Sequence, residues 1–233
     1  MSEKRSELKR IWDEVWRLRP CRNELDCRKV VVEVLKQTRN VWNGPDDDGT
    51  RFNWSEELPL ERWDGIAPKQ TAKRITVDGN GMITKLYLNR LGLRGVLPDC
   101  TGCLSSLTLL YVGRNQLTRL PDSIGNLTSL TDLAVDTNNL TSIPNSVVLL
   151  SSLSVLHLSY NQLSRIPESI CNLSSLTKLI LSNNQLTHLP VSIGSLTVLA
   201  VLYMDNNPMT STQDAKDEVK RRFERAGLRL IVE

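Results

Sequence analysis

The chain has 233 residues with a net charge of +3, 40% hydrophobic and 24% charged residues. So small a charge does not point to nucleic acid or an anionic membrane as the main partner, and neither is expected; no apolar run reaches membrane-spanning length. Five cysteines, an odd count in a chain this long, do not read as a disulfide framework.

In chain order, residues 2 to 19 and about 22 to 40 read as two amphipathic helices separated by Pro20. Leu8, Ile11, Trp12, Val15 and Trp16 lie at helical spacing in the first, and Val30, Val31, Val34 and Leu35 in the second. All five tryptophans fall at or before Trp63, so residues 1–79 read as a helical, Trp-rich region that caps the open end of residues 80–210. Trp42 to Gly49 carries three consecutive acids but lacks the spacing of a calcium loop, and reads as a solvated turn.

From Asn80 to Thr210 the chain repeats itself. An irregular unit, Asn80 to Cys103, precedes lines of 23 residues that start at Leu104, Leu127, Leu150 and Leu173, and a further line opens at Leu196 and dissolves. A fixed period in this range marks a solenoid. Leu86/Leu88, Leu110/Val112, Leu133/Val135, Leu156/Leu158, Leu179/Leu181 and Leu202/Met204 alternate with variable residues, as a strand with one buried face does. Asn115, Asn138, Asn161, Asn184 and Asn207 recur three residues later, and Leu91 takes that place in the irregular unit. A primary amide both donates and accepts, so this column is expected to satisfy backbone groups where the chain leaves the strand. Pro121, Pro144, Pro167 and Pro190 close successive lines and should start short helical turns, with Ile124, Val147, Ile170 and Ile193 packed inward.

Residues 211–233 read as a C-terminal cap. A Lys- and Arg-rich helix runs from about Thr212 to Ala226, Gly227 stops it, and Leu228, Leu230, Ile231 and Val232 suggest a short strand.

The L-x-x-L-x-L-x-x-N-x-L core resembles the leucine-rich repeat family, and the L-P-x-x-I ending looks like its intracellular Ras-group type. Arg62-Trp63-Asp64-Gly65-Ile66 and Leu93-x-Gly95-x-Leu97-Pro98 resemble the cap and first repeat of plant-type members, although no cysteines flank the tryptophan element. The resemblance implies an α/β fold: a right-handed, curved solenoid with a parallel β-sheet on its concave face, a helical N-terminal cap and a C-terminal helix cap. It also implies scaffolding or signalling work through a protein partner.

Function is expected on the concave strand face, where tyrosine and arginine offer rigid contact area with polar tips. The candidate partner-binding residues are Tyr87, Arg90, Tyr111, Arg114, Asp132, Asp136, His157, Tyr160, Lys178 and Tyr203. The two histidines, His157 and His188, fall in different parts of the repeat, and no Ser-His-Asp, Cys-His, Walker or G-x-G-x-x-G constellation assembles, so no enzyme is expected. Cys100-x-x-Cys103 has half of a zinc spacing, and Cys21 and Cys27 could complete it, but the second C-x-x-C half is missing. Aligning LPDCTGCL with LPDSIGNL puts both cysteines at repeat positions, so neither metal nor cofactor is expected. A monomer is expected. The charged start, MSEKRSELKR, without an apolar signal core, points to the cytoplasm unless a leader has been removed. The alternative is an extracellular recognition or adhesion domain, for which Asn126, Asn139 and Asn172 supply glycosylation sequons.

Overall fold

A computed structural model describes residues 75–80 and 82–210, together with 217, 220, 221, 223, 224, 231 and 232. The two N-terminal helices, the acidic turn, the Trp63 element, Cys21 and Cys27 lie outside the described residues. The strands in chain order are β1 (Ile75–Val77), β2 (Ile83–Tyr87), β3 (Arg94–Val96), β4 (Leu109–Tyr111), β5 (Gln116–Arg119), β6 (Asp132–Ala134), β7 (Val155–His157), β8 (Lys178–Ile180), β9 (Val201–Tyr203) and β10 (Ile231–Val232).

One eight-stranded sheet runs β1-β2-β4-β6-β7-β8-β9-β10. From β2 to β9 every pairing is parallel and advances by one repeat, so Leu86, Leu110, Leu133, Leu156, Leu179 and Leu202 stand side by side. Each is at most 1% exposed. A single turn cannot bury its own leucines; the neighbouring turns do it, and at about 1.5–3 kcal/mol for each fully buried side chain this stacking is the main favourable contribution to the fold.

Opposite the sheet, five-residue 3₁₀ helices follow Pro98, Pro121, Pro144, Pro167 and Pro190: Asp99–Cys103, Asp122–Asn126, Asn145–Leu149, Glu168–Asn172 and Val191–Ser195. The proline carbonyl accepts the first i→i+3 bond, as in Ile124 N to Pro121 O at 3.1 Å. Five residues allow barely more than one turn before the next leucine must return to the core, which favours the tighter 3₁₀ form. Ile124, Val147, Ile170 and Ile193 face inward as the sequence suggests, each at most 1% exposed. The irregular first unit puts Thr101 in that column instead, fully buried with its hydroxyl lacking a hydrogen-bond partner among the described residues.

The asparagine column does the work its chemistry predicts. Asn161 Oδ1 accepts Leu140 N–H at 3.0 Å, while its Nδ2 donates to Val135 O at 2.9 Å and Leu158 O at 3.0 Å, tying one turn to the preceding one. Asn115, Asn138, Asn184 and Asn207 repeat the pattern.

Three features go beyond the period. β1 pairs antiparallel with β2 through a tight turn in which Asp78 Oδ1 accepts the N–H groups of Asn80 and Met82, so the sheet begins ahead of the boundary placed between residues 79 and 80. A separate two-stranded parallel sheet joins β3 to β5. At the other end β10 adds parallel to β9, in line with the expected terminal strand, and Phe223 is fully buried in the core.

Candidate functional face of the sheet

Residues that alternate with the core leucines face outward from the sheet. The register places Tyr87, Tyr111, Ala134, His157, Ile180 and Tyr203 in one row, and Lys85, Leu109, Asp132, Val155, Lys178 and Val201 in the next. Tyr87, Tyr111, Asp132, His157, Lys178 and Tyr203 therefore share one continuous face, as their spacing predicts. Tyr87 and Tyr111 meet edge to face, with ring centres 5.3 Å apart and planes at 83°. Lys178 Nζ lies 5.3 Å from the Tyr203 ring centre, a cation–π contact at the other end.

The remaining candidates sit where the chain leaves each strand. Arg90, Arg114 and Tyr160 occupy a left-handed position with φ of 61°, 56° and 55°, shared in other turns by Thr137, Asn183 and Asn206. Bulky residues rarely adopt this backbone, and it persists where the surroundings over-determine it. Here the next turn does so: Arg90 N–H donates to Gly113 O, Arg114 N–H to Asp136 O, and Tyr160 N–H to Ser182 O. The three side chains are exposed, Tyr160 by 59%.

Two candidates are not displayed in this way. Tyr111 is 7% exposed and Asp136 only 5%. The Asp136 carboxylate folds over Gly113, so close that a Cβ on that glycine would collide with it. Thr137 donates its hydroxyl to Asp136 Oδ2 at 3.2 Å, whereas Oδ1 is buried with no hydrogen-bond partner among the described residues. Burial raises the Asp136 pKa to about 6, against the pull of the Thr137 hydrogen bond and the Arg114 and Arg90 charges. A contact role for Asp136 gives way to a role beneath the surface. The cause, Gly113 in the preceding turn, could have been read from the column Asn89, Gly113, Asp136, Ser159, where a missing side chain precedes an acid.

Burial, then the Lys178 charge, lowers the His157 pKa to about 4, so the ring is neutral at physiological pH. Its Nε2 lies 2.5 Å from Ser159 Oγ. Ser159 is itself only 4% exposed, so the pair fixes the ring rather than presenting a nucleophile. Burial and the Asp132 charge raise the pKa of both Tyr87 and Tyr111, keeping their phenols protonated as donors. Thr131 in turn donates to Asp132 at 2.6 Å, a support for the site absent from the candidate set. Among the described residues no three His, Cys, Asp or Glu side chains gather as metal ligands. Cys100 packs partly buried against the core and Cys103 is exposed, as their repeat positions imply. No described helix is long and apolar enough to cross a membrane.

Two leucine rich repeat family models match this chain, one over residues 106–127 and the other over 128–186 and 151–209. Among solved structures it is similar to a leucine-rich repeat protein of Leptospira interrogans, with 32% identity and a TM-score of 0.57 over 64% of this chain. The match spans 36% of the Leptospira protein's length. It is also similar to the BIR2 ectodomain of Arabidopsis thaliana, with 27% identity and a TM-score of 0.50 over 58% of this chain and 73% of that one. No curated protein sequence matches. Leucines in register, asparagines that stitch turn to turn, and these matches converge: residues 106–209 of the chain are leucine-rich repeats.

Proposed function

We propose that the chain is a binding module that holds a protein partner across the outward face of its sheet, in scaffolding or signalling rather than catalysis. The observation that supports this is the row Tyr87, Tyr111, Ala134, His157, Ile180 and Tyr203, edged by Asp132 and Lys178 and flanked by exposed Arg90, Arg114 and Tyr160. Aromatic rings set in an apolar row with polar edges have the composition of an interface core. Affinity capture from the native cell tests the reading with a Tyr87→Ser, Tyr160→Ser, Lys178→Asn, Tyr203→Ser variant. These side chains are half-buried or exposed, so the fold survives and captured partners are lost. A Leu149→Gln, Val191→Gln variant on the 3₁₀ side keeps them. Capture that is unchanged by the first variant and lost with the second overturns the proposal.

The exposed Cys103 thiol favours a reducing compartment, the cytoplasm. The extracellular reading draws on the exposed sequon residues Asn126, Asn139 and Asn172 and on the likeness to a plant ectodomain. Expression through a secretory route separates the two. A glycan mass shift with retained folding supports the extracellular reading, and an unmodified chain with reactive thiols supports the cytoplasmic one.

A further inference from the structure

The outward face is not uniform in charge. On its first turns the exposed charged side chains are Lys85, Arg90 and Arg114, all cationic. Of the acids of the same turns, Asp136 is buried over Gly113, whereas Asp132 stands half-buried on the outward face, accepts the Thr131 hydroxyl and lies close enough for its charge to act on Tyr87 and Tyr111. Between the cations lies the Tyr87–Tyr111 pair. The two arginines leave adjacent strands at equivalent left-handed positions, held by Arg90 N–H to Gly113 O at 3.1 Å and Arg114 N–H to Asp136 O at 2.8 Å. Adjacent strands lie about 4.8 Å apart, and an extended peptide sets alternate side chains about 7 Å apart, a span two long guanidinium side chains reach. Arginine takes carboxylates in two-pronged bonds, and half-buried Tyr87, backed by Tyr111, offers apolar area beside them.

We propose that the first turns of the sheet form a subsite for an acidic peptide segment of the protein partner, with Arg90 and Arg114 taking its Asp or Glu carboxylates over the Tyr87–Tyr111 pair. This rests on the concave-face reading. Asp136, buried beside the arginines, and Asp132, beside the tyrosines, temper the field, which suits singly charged carboxylates spread along a chain rather than a dense polyanion. The later turns, with Ile180, Val201 and Tyr203 around Lys178, supply the less polar half of the same interface.

Random dodecapeptides displayed on phage and panned against the full chain test the subsite. Enriched peptides carry repeated Asp or Glu, and their affinity, read by fluorescence anisotropy, falls steeply with salt. Arg90→Asn with Arg114→Asn weakens them about tenfold or more, the scale of one lost charge-assisted hydrogen bond. Asn tolerates the left-handed backbone and already stands there at Asn183 and Asn206, so the fold is kept. No enrichment, enriched peptides without acids, or acidic peptides indifferent to the arginine change each overturn the subsite. A single-stranded oligothymidylate that binds more tightly than any acidic peptide and displaces it overturns the subsite in favour of nucleic acid. Enriched peptides that ignore the arginines but are lost with Tyr87→Ser and Tyr203→Ser overturn the subsite and leave the concave-face reading standing. Peptides indifferent to every outward substitution remove both.

Discussion

Asn161 shows how much one side chain carries in this fold. Its amide serves Leu140 N–H, Val135 O and Leu158 O inside the core; alanine leaves Leu140 N–H without its partner and removes one of two amide donors from Val135 O and Leu158 O, which Asn138 and Asn184 still serve. At roughly 1–3 kcal/mol for an orphaned buried group, Asn161→Ala should cost about 1–3 kcal/mol, read as a lower urea midpoint. Asp136 and His157 form a second residue-scale case, with opposite signs. The folded Asp136 pKa, about 6, lies above its ordinary 3.8, so its contribution is full below pH 3.8 and lost as pH rises through 6. The folded His157 pKa, about 4, lies below 6.5, so its contribution is present above pH 6.5 and lost as pH falls towards 4. Each shift corresponds to about 3 kcal/mol, and between pH 4 and 6 they oppose one another. Asp136→Asn should therefore raise the melting temperature at pH 7.5 and steepen its fall on acidification relative to wild type, whereas His157→Gln should flatten that fall. Parallel wild-type and variant melting curves across pH 4–7.5 would refute the assignment.

The elements obey packing rules that the sequence displays only in part. The proline-led 3₁₀ helices stack so closely that a Cβ on Gly125 would stand 2.5 Å from Ser146 O and 2.9 Å from Ser146 Cβ. Backbone cannot yield as a flexible side chain does, so Gly125→Ala should destabilise by about 1–3 kcal/mol in urea, while Ser146→Ala at the facing position should cost far less. Leucine columns, strand faces, the asparagine ladder and the proline-led turns were all legible, because each arises from a local rule applied once per period. β1 was not: Ile75-Thr76-Val77 precedes the period and is drawn into the sheet by pairing with β2. The β3–β5 sheet was likewise hidden, since it forms where the irregular first unit meets the first regular line. Within the candidate face, Tyr87, His157, Lys178 and Tyr203 were placed by alternation alone. The burial of Asp136 was not, because it depends on a glycine one full turn away.

At the scale of the whole molecule, stability should behave as a sum of turns and the interfaces between them, since each turn touches only its neighbours. The leucines pair from β4 to β9 at one constant offset, so removing one whole offset restores every column, whereas removing any other length misaligns them. Deleting residues 151–173 joins Leu150 to Ser174 and keeps the Leu-Ser-Ser-Leu wording and the asparagine column across the joint. That chain should melt cooperatively, with a circular dichroism spectrum per residue like the parent's and a melting temperature a few degrees lower. Deleting residues 151–170 instead leaves Cys171 and the leucines after it three places out of step with the turns before them, so polar residues enter the core. The second chain should lose its cooperative transition despite being the longer of the two. The whole-turn deletion removes His157 and Tyr160 but spares Arg90 and Arg114, so acidic peptides held by the first turns should still bind it while a partner spanning the whole row is lost. Retention of the spanning partner by the shortened chain would place binding outside the deleted turn.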